Sequence, residues 1–404
     1  MSVIQLVEKH CISKNNKYYD LLDYYCYMSK NLYNFANYHI RQNFTKEGIY
    51  LNYNKIDKVM KLEENEKDYR NMITSQSAQQ CLKLLDKNWK SFFSAIKDYN
   101  KHKEKYLGRP KLPKYLPKNG RNILIFTNQN CKLKNGYIHF PKKLNGFTIK
   151  TNLQSFQQVR VLPKSNKMVI EIVYNKEINE TKEDNGKYIS IDIGLDNLAT
   201  LTNNLNKQPI IVSGRKIKSI NQYYNKQMSH YKSIAKRMNN LDYTKRMNRL
   251  TNKRNNLIDD LIHKASRKVV DYALSYGVNT IVIGNNKNWK QNSKMSSKIN
   301  QKFISIPHSK LIQQIEYKAN LVGINVIITE ESYTSGTSFL DNELPIKENY
   351  NKSRRVYRGL FVSNNGIRIN SDVNGSLQIM KKVFPNAFSH GIEDYWFNPI
   401  RVDL

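Results

Sequence analysis

The apolar periodicity of this chain changes twice along its length, which rules out a fold built from one class of element. From Tyr18 to about Lys105 the pattern is helical. Leu82, Leu85, Trp89, Phe92, Phe93 and Ile96 recur at three- and four-residue steps and form one helix face. Core packing explains the aromatic members of that face better than base stacking does. Gly108, Pro110, Pro113, Pro117 and Gly120 then break the pattern. From Ile123 to Tyr174 the period falls to two, with strands at Ile123–Phe126, Tyr137–Phe140, Val159–Val161 and Met168–Val173. Asn135-Gly136 and Asn145-Gly146 are turn signals between them, a pattern that fits a small antiparallel barrel or sandwich.

Past the polar stretch Lys182–Lys187 the grammar alters again. Strands are expected at Tyr188–Ile193, Leu198–Thr202 and Pro209–Val212, followed by a long helical stretch from Arg215 to Tyr276. A strand at Thr280–Ile283, a helix at Pro307–Val322, a strand at Ile324–Ile328 and a helix from Asp372 to Val383 complete the series. Three consecutive strands followed by alternating helices and strands is the order of an RNase H-like α/β layer. With 404 residues, two to three domains are expected.

Charge narrows the partners. The formal net charge is +33, and Arg215–Tyr276 alone carries fifteen Lys/Arg against four Asp. Lys101–Arg121 carries eight Lys/Arg against one Glu, in a segment that its prolines keep extended. Such an arm either tracks a phosphate backbone or serves as a solvated linker. A chain this basic points to nucleic acid first and an anionic membrane surface second. Abundant Lys, Asn, Ile and Tyr also fit an AT-rich coding sequence, which supplies part of the lysine excess. Mean hydropathy is −0.68 and no apolar run approaches 18 residues, so a membrane-spanning helix is excluded. The start of the chain lacks the pattern of a secretory signal. Cys11, Cys26, Cys81 and Cys131 form no CxxC pair, and no cysteine follows position 131. A cytoplasmic chain with four ordinary thiols is therefore expected.

Two acids carry the chemistry. Asp192 lies inside the apolar strand Tyr188–Gly194, where a carboxylate costs several kcal/mol unless it is paired or binds metal. Taken alone, it could equally cap the following turn. Asp372, alone, reads as a helix N-cap. In an RNase H-like sheet, however, the first strand and the last helix meet at one place. Carboxylates there bind two divalent ions that cleave phosphodiesters, and Mg²⁺ suits an all-oxygen set.

The stretch Ile191-Asp-Ile-Gly-Leu-Asp-Asn-Leu-Ala-Thr200 resembles the first RuvC motif of the TnpB family of transposon-encoded proteins. Ile281-Val-Ile-Gly-Asn-Asn-Lys-Asn-Trp-Lys290 is similar to its second-motif region, Tyr333-Thr-Ser335 to the opening of its zinc ribbon, and Asp372-Val-Asn374 to its third motif. Ile306–Lys310, Tyr317-Lys318 and Val383–Asn386 resemble the family as well. The resemblance is dense from about 186 to 390, looser over Tyr106–Pro141 and thin over the first hundred residues. It implies an RNA-guided DNA endonuclease of a transposable element, with a transposon-derived guide RNA and target DNA as partners. It also implies a mixed architecture: a first wedge strand over 1–10, a helical recognition lobe over 11–105, a small β-barrel wedge domain over 106–185, and a RuvC-like nuclease domain over 186–404. Within the last lie a basic helical insertion, 215–276, and a flap, 336–368. The expected nucleic-acid contacts are Arg109, Lys111, Lys114, Lys236, Arg237, Arg246, Arg249 and Arg254.

The chain departs from the family pattern twice. Gly284 stands where the family has a metal-binding Glu, and the zinc-ribbon cysteines are missing, with Ser338 where the first would be. The flap keeps a basic cluster, Lys352, Arg354, Arg355 and Arg358, without a Cys₄ site. Glu330 and Glu331 end the neighbouring strand, and relocation of this Glu is known in the family. The expected site is thus Asp192, Glu331 and Asp372 with Mg²⁺ and no zinc, Glu330 being the second choice for the relocated acid. A nuclease-inactive guided DNA-binding repressor is the alternative, favoured by Gly284. A strand-transfer transposase is a third reading, with no added DNA-binding module to support it.

Overall fold

The computed structural model describes residues 3–63, 67–164, 167–178, 180–286, 301, 305–357, 359–388 and 398–404. Lys287–Lys290 of the second-motif stretch, and Arg358, lie outside the described residues. Backbone contacts divide the chain into one unit over Val3–Lys176 and another over Glu177–Leu404.

The first unit begins with strand β1 (Val3–Ser13), longer than the apolar run Val3–Val7 suggests. Four helices follow: α1 (Tyr19–Glu47), α2 (Tyr53–Leu62), α3 (Lys67–Asn71) and α4 (Ser75–Lys101). Thr74 caps α4 by accepting from the Ser77 amide. The expected α4 face is buried: Leu82, Leu85 and Trp89 are fully enclosed, and Phe92 and Phe93 pack at their edge. Strands β2 (Leu124–Thr127), β3 (Lys132–Lys134), β4 (Tyr137–His139), β5 (Thr148–Lys150), β6 (Gln158–Lys164) and β7 (Lys167–Glu177) complete the unit. They form two open sheets, ordered β1-β7-β6-β2 and β3-β4-β5, where the strand pattern allowed a small barrel or a sandwich and the resemblance a barrel. The physical reason is coverage. Phe126, Val159 and Val161 of the larger sheet share one core with Leu22, Leu82 and Trp89 of the helices. A sheet whose apolar face is covered by helices has no need to close on itself.

The second unit is built on a six-stranded mixed sheet. Its strands are β8 (Tyr188–Asp192), β9 (Asn197–Asn203), β10 (Ile210–Ser213), β11 (Thr280–Gly284), β12 (Asn325–Thr329) and β15 (Ile400–Val402), in the order β12-β11-β8-β9-β10-β15. β9 lies between β8 and β10 and runs antiparallel to both, whereas β11 and β12 run parallel to β8. Helices α5 (Arg215–Asn239), α6 (Lys245–Ser275), α7 (His308–Asn320) and α8 (Ser371–Val383) pack around it. Ile189, Ile191 and Ile193 enter the core shared with α6 and α7. By the two-residue alternation of a strand, Ser190 and Asp192 face the other way, toward α8. The C-terminal half of α6 is part of this core through Ile258, Ile262, Ala265 and Val269, so the stretch 215–276 is basic and exposed mainly over α5 and the start of α6.

Between β12 and α8 lies the cysteine-free flap, with a short hairpin of β13 (Leu360–Val362) and β14 (Arg368–Asn370). Phe339, Phe361 and Ile369 form a small core with Val373 and Leu377 of α8. Arg354 donates from Nη1 to both carboxylate oxygens of Glu343 at 2.7 Å, with both side chains about 15% exposed.

Candidate active site

Strand β8 and helix α8 are fastened together by hydroxyls. Ser190 Oγ lies 2.7 Å from Thr202 Oγ1 and donates to the Ser376 carbonyl at 2.6 Å, while Ser376 Oγ donates to the Ser190 carbonyl at 3.0 Å. All three side chains are buried, so each bond avoids the cost of an orphaned polar group. One residue earlier on α8 sits Gly375, where a Cβ would come within 2.9 Å of Asp192 Oδ2. The helix therefore rests directly on the Asp192 carboxylate, and its first turn brings Asp372 to the same cleft. Asp372 is free for this because the capping role belongs to Asn370, whose side chain accepts from the amides of Asp372 and Val373.

Glu331 completes the acidic wall. It follows β12 and is fixed by a reciprocal pair of bonds with Asn286: Asn286 Nδ2 donates to Glu331 Oε1, and the Glu331 amide donates to Asn286 Oδ1, both at 3.1 Å. A Cβ on Gly284 would meet Glu331 Oε2 at 2.9 Å and the Ile379 methyl at 2.5 Å. The Glu331 carboxylate thus fills the space in front of the position where the family pattern expects an acid. Glu330 is exposed and takes no part in the cleft.

Asp192, Glu331 and Asp372 line one cleft of about 640 Å³. Burial raises the Asp192 carboxyl well above its ordinary range, and the charges of Asp372 and Glu331 raise it further, with Arg355 pulling the other way. Burial pushes Glu331 up to about 7. Asp372 accepts from Asn197 Nδ2 at 2.6 Å and faces Arg355 Nη2 at 3.4 Å. Asp192 accepts no hydrogen bond from the described residues. As the side chains stand, no three acidic, His or Cys groups among the described residues converge tightly enough to enclose one ion. In chemistry the set nonetheless suits a hard divalent cation: oxygen donors only, and buried acids whose ionised forms a cation would favour.

Cations rim the same cleft. Arg215 and Lys218 come from the first turn of α5, Arg355 from the flap and Arg401 from β15. Lys218 pairs with Asp196, and Arg401 donates to Asn197 Oδ1 at 3.2 Å, linking the rim to Asp372 through Asn197. Sequence reasoning did not assign Arg215, Lys218, Asn197, Asn286 or Arg401 to the site. The three-residue spacing of Arg215 and Lys218 at a helix start was a usable signal. Arg401, far away in sequence, had none.

Of the expected nucleic-acid contacts, Arg109, Lys111, Lys114, Lys236, Arg237, Arg246 and Arg249 are exposed. Arg246 lies over the Tyr231 ring at 4.5 Å. Arg254 is different. It donates to Asn221 Oδ1 at 2.8 Å and to the Ser305 carbonyl at 2.9 Å. It is a half-buried tie between α5, α6 and the segment before α7, because its guanidinium satisfies a carbonyl that would otherwise lose water.

Comparison with known proteins gives consistent results. A family model described as a probable transposase (OrfB_IS605) matches residues 171–290, and one described as a Cas12f1-like TNB domain matches residues 308–379. The TnpB-like protein ORF457 of Acidianus two-tailed virus is 25% identical over 396 residues, covering 88% of this chain and 81% of its own. Among solved structures, a Cas12f1–sgRNA–target DNA complex is 14% identical, with 93% of this chain and 98% of that one covered and a TM-score of 0.37. The mini-RNA-guided endonuclease Cas_phi3 is 9% identical, with 94% and 92% covered and a TM-score of 0.47. The two successive family matches and the viral relative together support a TnpB family protein.

Proposed function

We propose that the protein is an RNA-guided DNA endonuclease of a transposable element, with an RNase H-like (RuvC) nuclease site formed by Asp192, Glu331 and Asp372. The observation that carries this reading is the Glu331 carboxylate, which occupies the space in front of Gly284 and faces the cleft of the other two acids. The packing of α8 on the sheet supports it, since the end of β8 and the first turn of α8 meet at one cleft. The same three carboxylates would hold Mg²⁺, which when bound activates water and stabilises the leaving oxygen of a phosphodiester. Arg215, Arg355 and Arg401 then hold phosphate oxygens, and Asn286 and Asn197 fix the acids from the side. In the first unit, the helices α1–α4 would serve as recognition lobe and the strands as wedge, with guide RNA and target DNA as partners and a cytoplasmic location.

The test is cleavage of a matched DNA target by the protein with its copurified RNA and Mg²⁺. Asp192→Ala, Glu331→Ala and Asp372→Ala should each abolish cutting and leave guided binding within about twofold, because removing an acid removes no phosphate contact. Cutting by Glu331→Ala at the wild-type rate would sink the relocated site. A second reading, a guided DNA-binding repressor, is favoured by the Arg355–Asp372 pair and the open spacing of the acids. It takes over if the wild type binds its matched target and never cuts it.

A further inference from the structure

We propose that Tyr333 and Tyr350 form a stacking platform for unpaired bases of the strand whose backbone enters the carboxylate cleft. The inference rests on the nuclease reading and adds the part of the substrate that the cleft itself does not address.

Three observations converge. Tyr333 adopts φ +68°, a left-handed conformation that costs a bulky residue energy and is retained only where its surroundings impose it. It lies two residues after Glu331 and immediately before Thr334 and Ser335, which line the cleft. Second, its ring meets that of Tyr350 edge to face, with centroids 5.9 Å apart. Gly336 lies flush beneath the Tyr350 ring, where a Cβ would come within 2.5 Å of a ring carbon. The Asn351 amide also donates to the Gly336 carbonyl at 3.0 Å, so the two tyrosines are set on one fixed turn. Third, both rings stay about 40% exposed, and neither phenol hydroxyl bonds to a described residue. Side chains used only to close the flap would be covered, as Phe339 and Phe361 are.

The surroundings select the occupant. Lys352 and Arg355 follow Tyr350 within five residues, and Arg355 reaches the cleft. Aromatic faces beside a cationic path are the arrangement that binds single strands: the cations follow the backbone, and each base offers a π-face whatever its identity. A duplex keeps its bases stacked on one another and has none to offer, so the platform favours a strand already separated near the cut. Binding there is indifferent to base sequence and sensitive to whether a base is present.

The experiment couples a deletion in the protein to a deletion in the DNA. Target DNA carries one abasic nucleotide at successive positions through the cut region, and wild type, Tyr350→Ala, Tyr333→Ala and Tyr350→Phe are compared as guide-RNA complexes. Wild type should lose about tenfold in cleavage at one or two abasic positions. Tyr350→Ala should show that loss on intact DNA and no further loss on the abasic targets, and Tyr350→Phe should behave as wild type. Losses that simply multiply, or an abasic scan without a sensitive position, overturn the platform. A second readout does not depend on cutting: 2-aminopurine at the sensitive position, bound to the Asp192→Asn complex, should be quenched and should brighten with Tyr350→Ala. If the wild type cuts nothing while this quenching is present, the nuclease reading fails and the platform stands. Bright 2-aminopurine at every position overturns the platform alone.

Discussion

Burial lifts the Glu331 carboxyl from 4.5 to about 7, which makes this one residue a source of pH dependence. The unfolded chain releases its proton near 4.5, whereas the folded one holds it until about 7. Between those values the native state binds the extra proton, so stability falls as pH rises and the loss is complete above about 7. In the presence of EDTA, Glu331→Gln should match wild type at pH 4.5 and be more stable by about 2–3 kcal/mol at pH 8. Denaturant melts at both pH values check this, and equal melts at pH 8 would refute it. Gly284 responds in the opposite sense. Gly284→Glu places its Cβ against Ile379 and the Glu331 carboxylate, with a second acid close behind. It should lower stability by about 1–3 kcal/mol through overpacking, and adding Glu331→Gln should recover part of that loss.

The flap is held by an ion pair, side-chain hydrogen bonds and a small aromatic core. Glu343 accepts from Arg354 and from the Ser338 amide at 2.8 Å, and these donors hold its carboxyl below the usual range despite burial. Asn374 of α8 adds bonds to the Thr337 carbonyl and the Phe339 amide, which tie the flap to the helix that carries Asp372. Arg354→Met should therefore cost about 2 kcal/mol and expose the flap to limited proteolysis several-fold faster, and the further change Glu343→Gln should restore part of the protection. Unchanged proteolysis would show that the small aromatic core is sufficient. Elements of this kind were only partly legible in the sequence. The strand and helix order of the second unit followed from periodicity, because a buried strand such as Tyr188–Asp192 and an amphipathic helix such as α7 carry their pattern locally. The barrel did not, since closure depends on what covers the sheet, and α1 and α4 lie far upstream of it. The closeness of Glu331 to Gly284 could be read because it follows the strand beside β11. Asn286, Asn197 and Arg401 could not, because their roles arise from partners 45 to 204 residues away.

At the scale of the molecule, charge governs. A net +33 distributed over both units means that most of the affinity for polyanions is backbone neutralisation and falls with salt. Lys236, Arg237, Arg246 and Arg249 are exposed, and none of them forms an ion pair with a carboxylate among the described residues. Replacing Lys236 and Arg237 with Ala should flatten the plot of log K against log salt by about 2 on duplex, while Arg254→Ala should leave the slope unchanged and lower the melting temperature. Filter binding across a salt series separates the two effects. A shared slope for all variants would show that these helices do not touch the nucleic acid.

The close approach of Glu331 to Gly284 also sets the order in which such a site can change over evolutionary time. Two adjacent strands offer one seat, and an acid in both is crowded. On the proposed reading of the site, a lineage moving the acid from one strand to the other would pass through a crowded ancestor or an ancestor with an empty seat and no cutting. Descent through the empty seat would be tolerated where guided binding alone is useful, so an inactive guided binder is a natural halfway house between the two arrangements. On that reading the glycine is locked once the move is made: restoring the old acid first is penalised by the Glu331 carboxylate and Ile379, and discarding the new one would lose the proposed site.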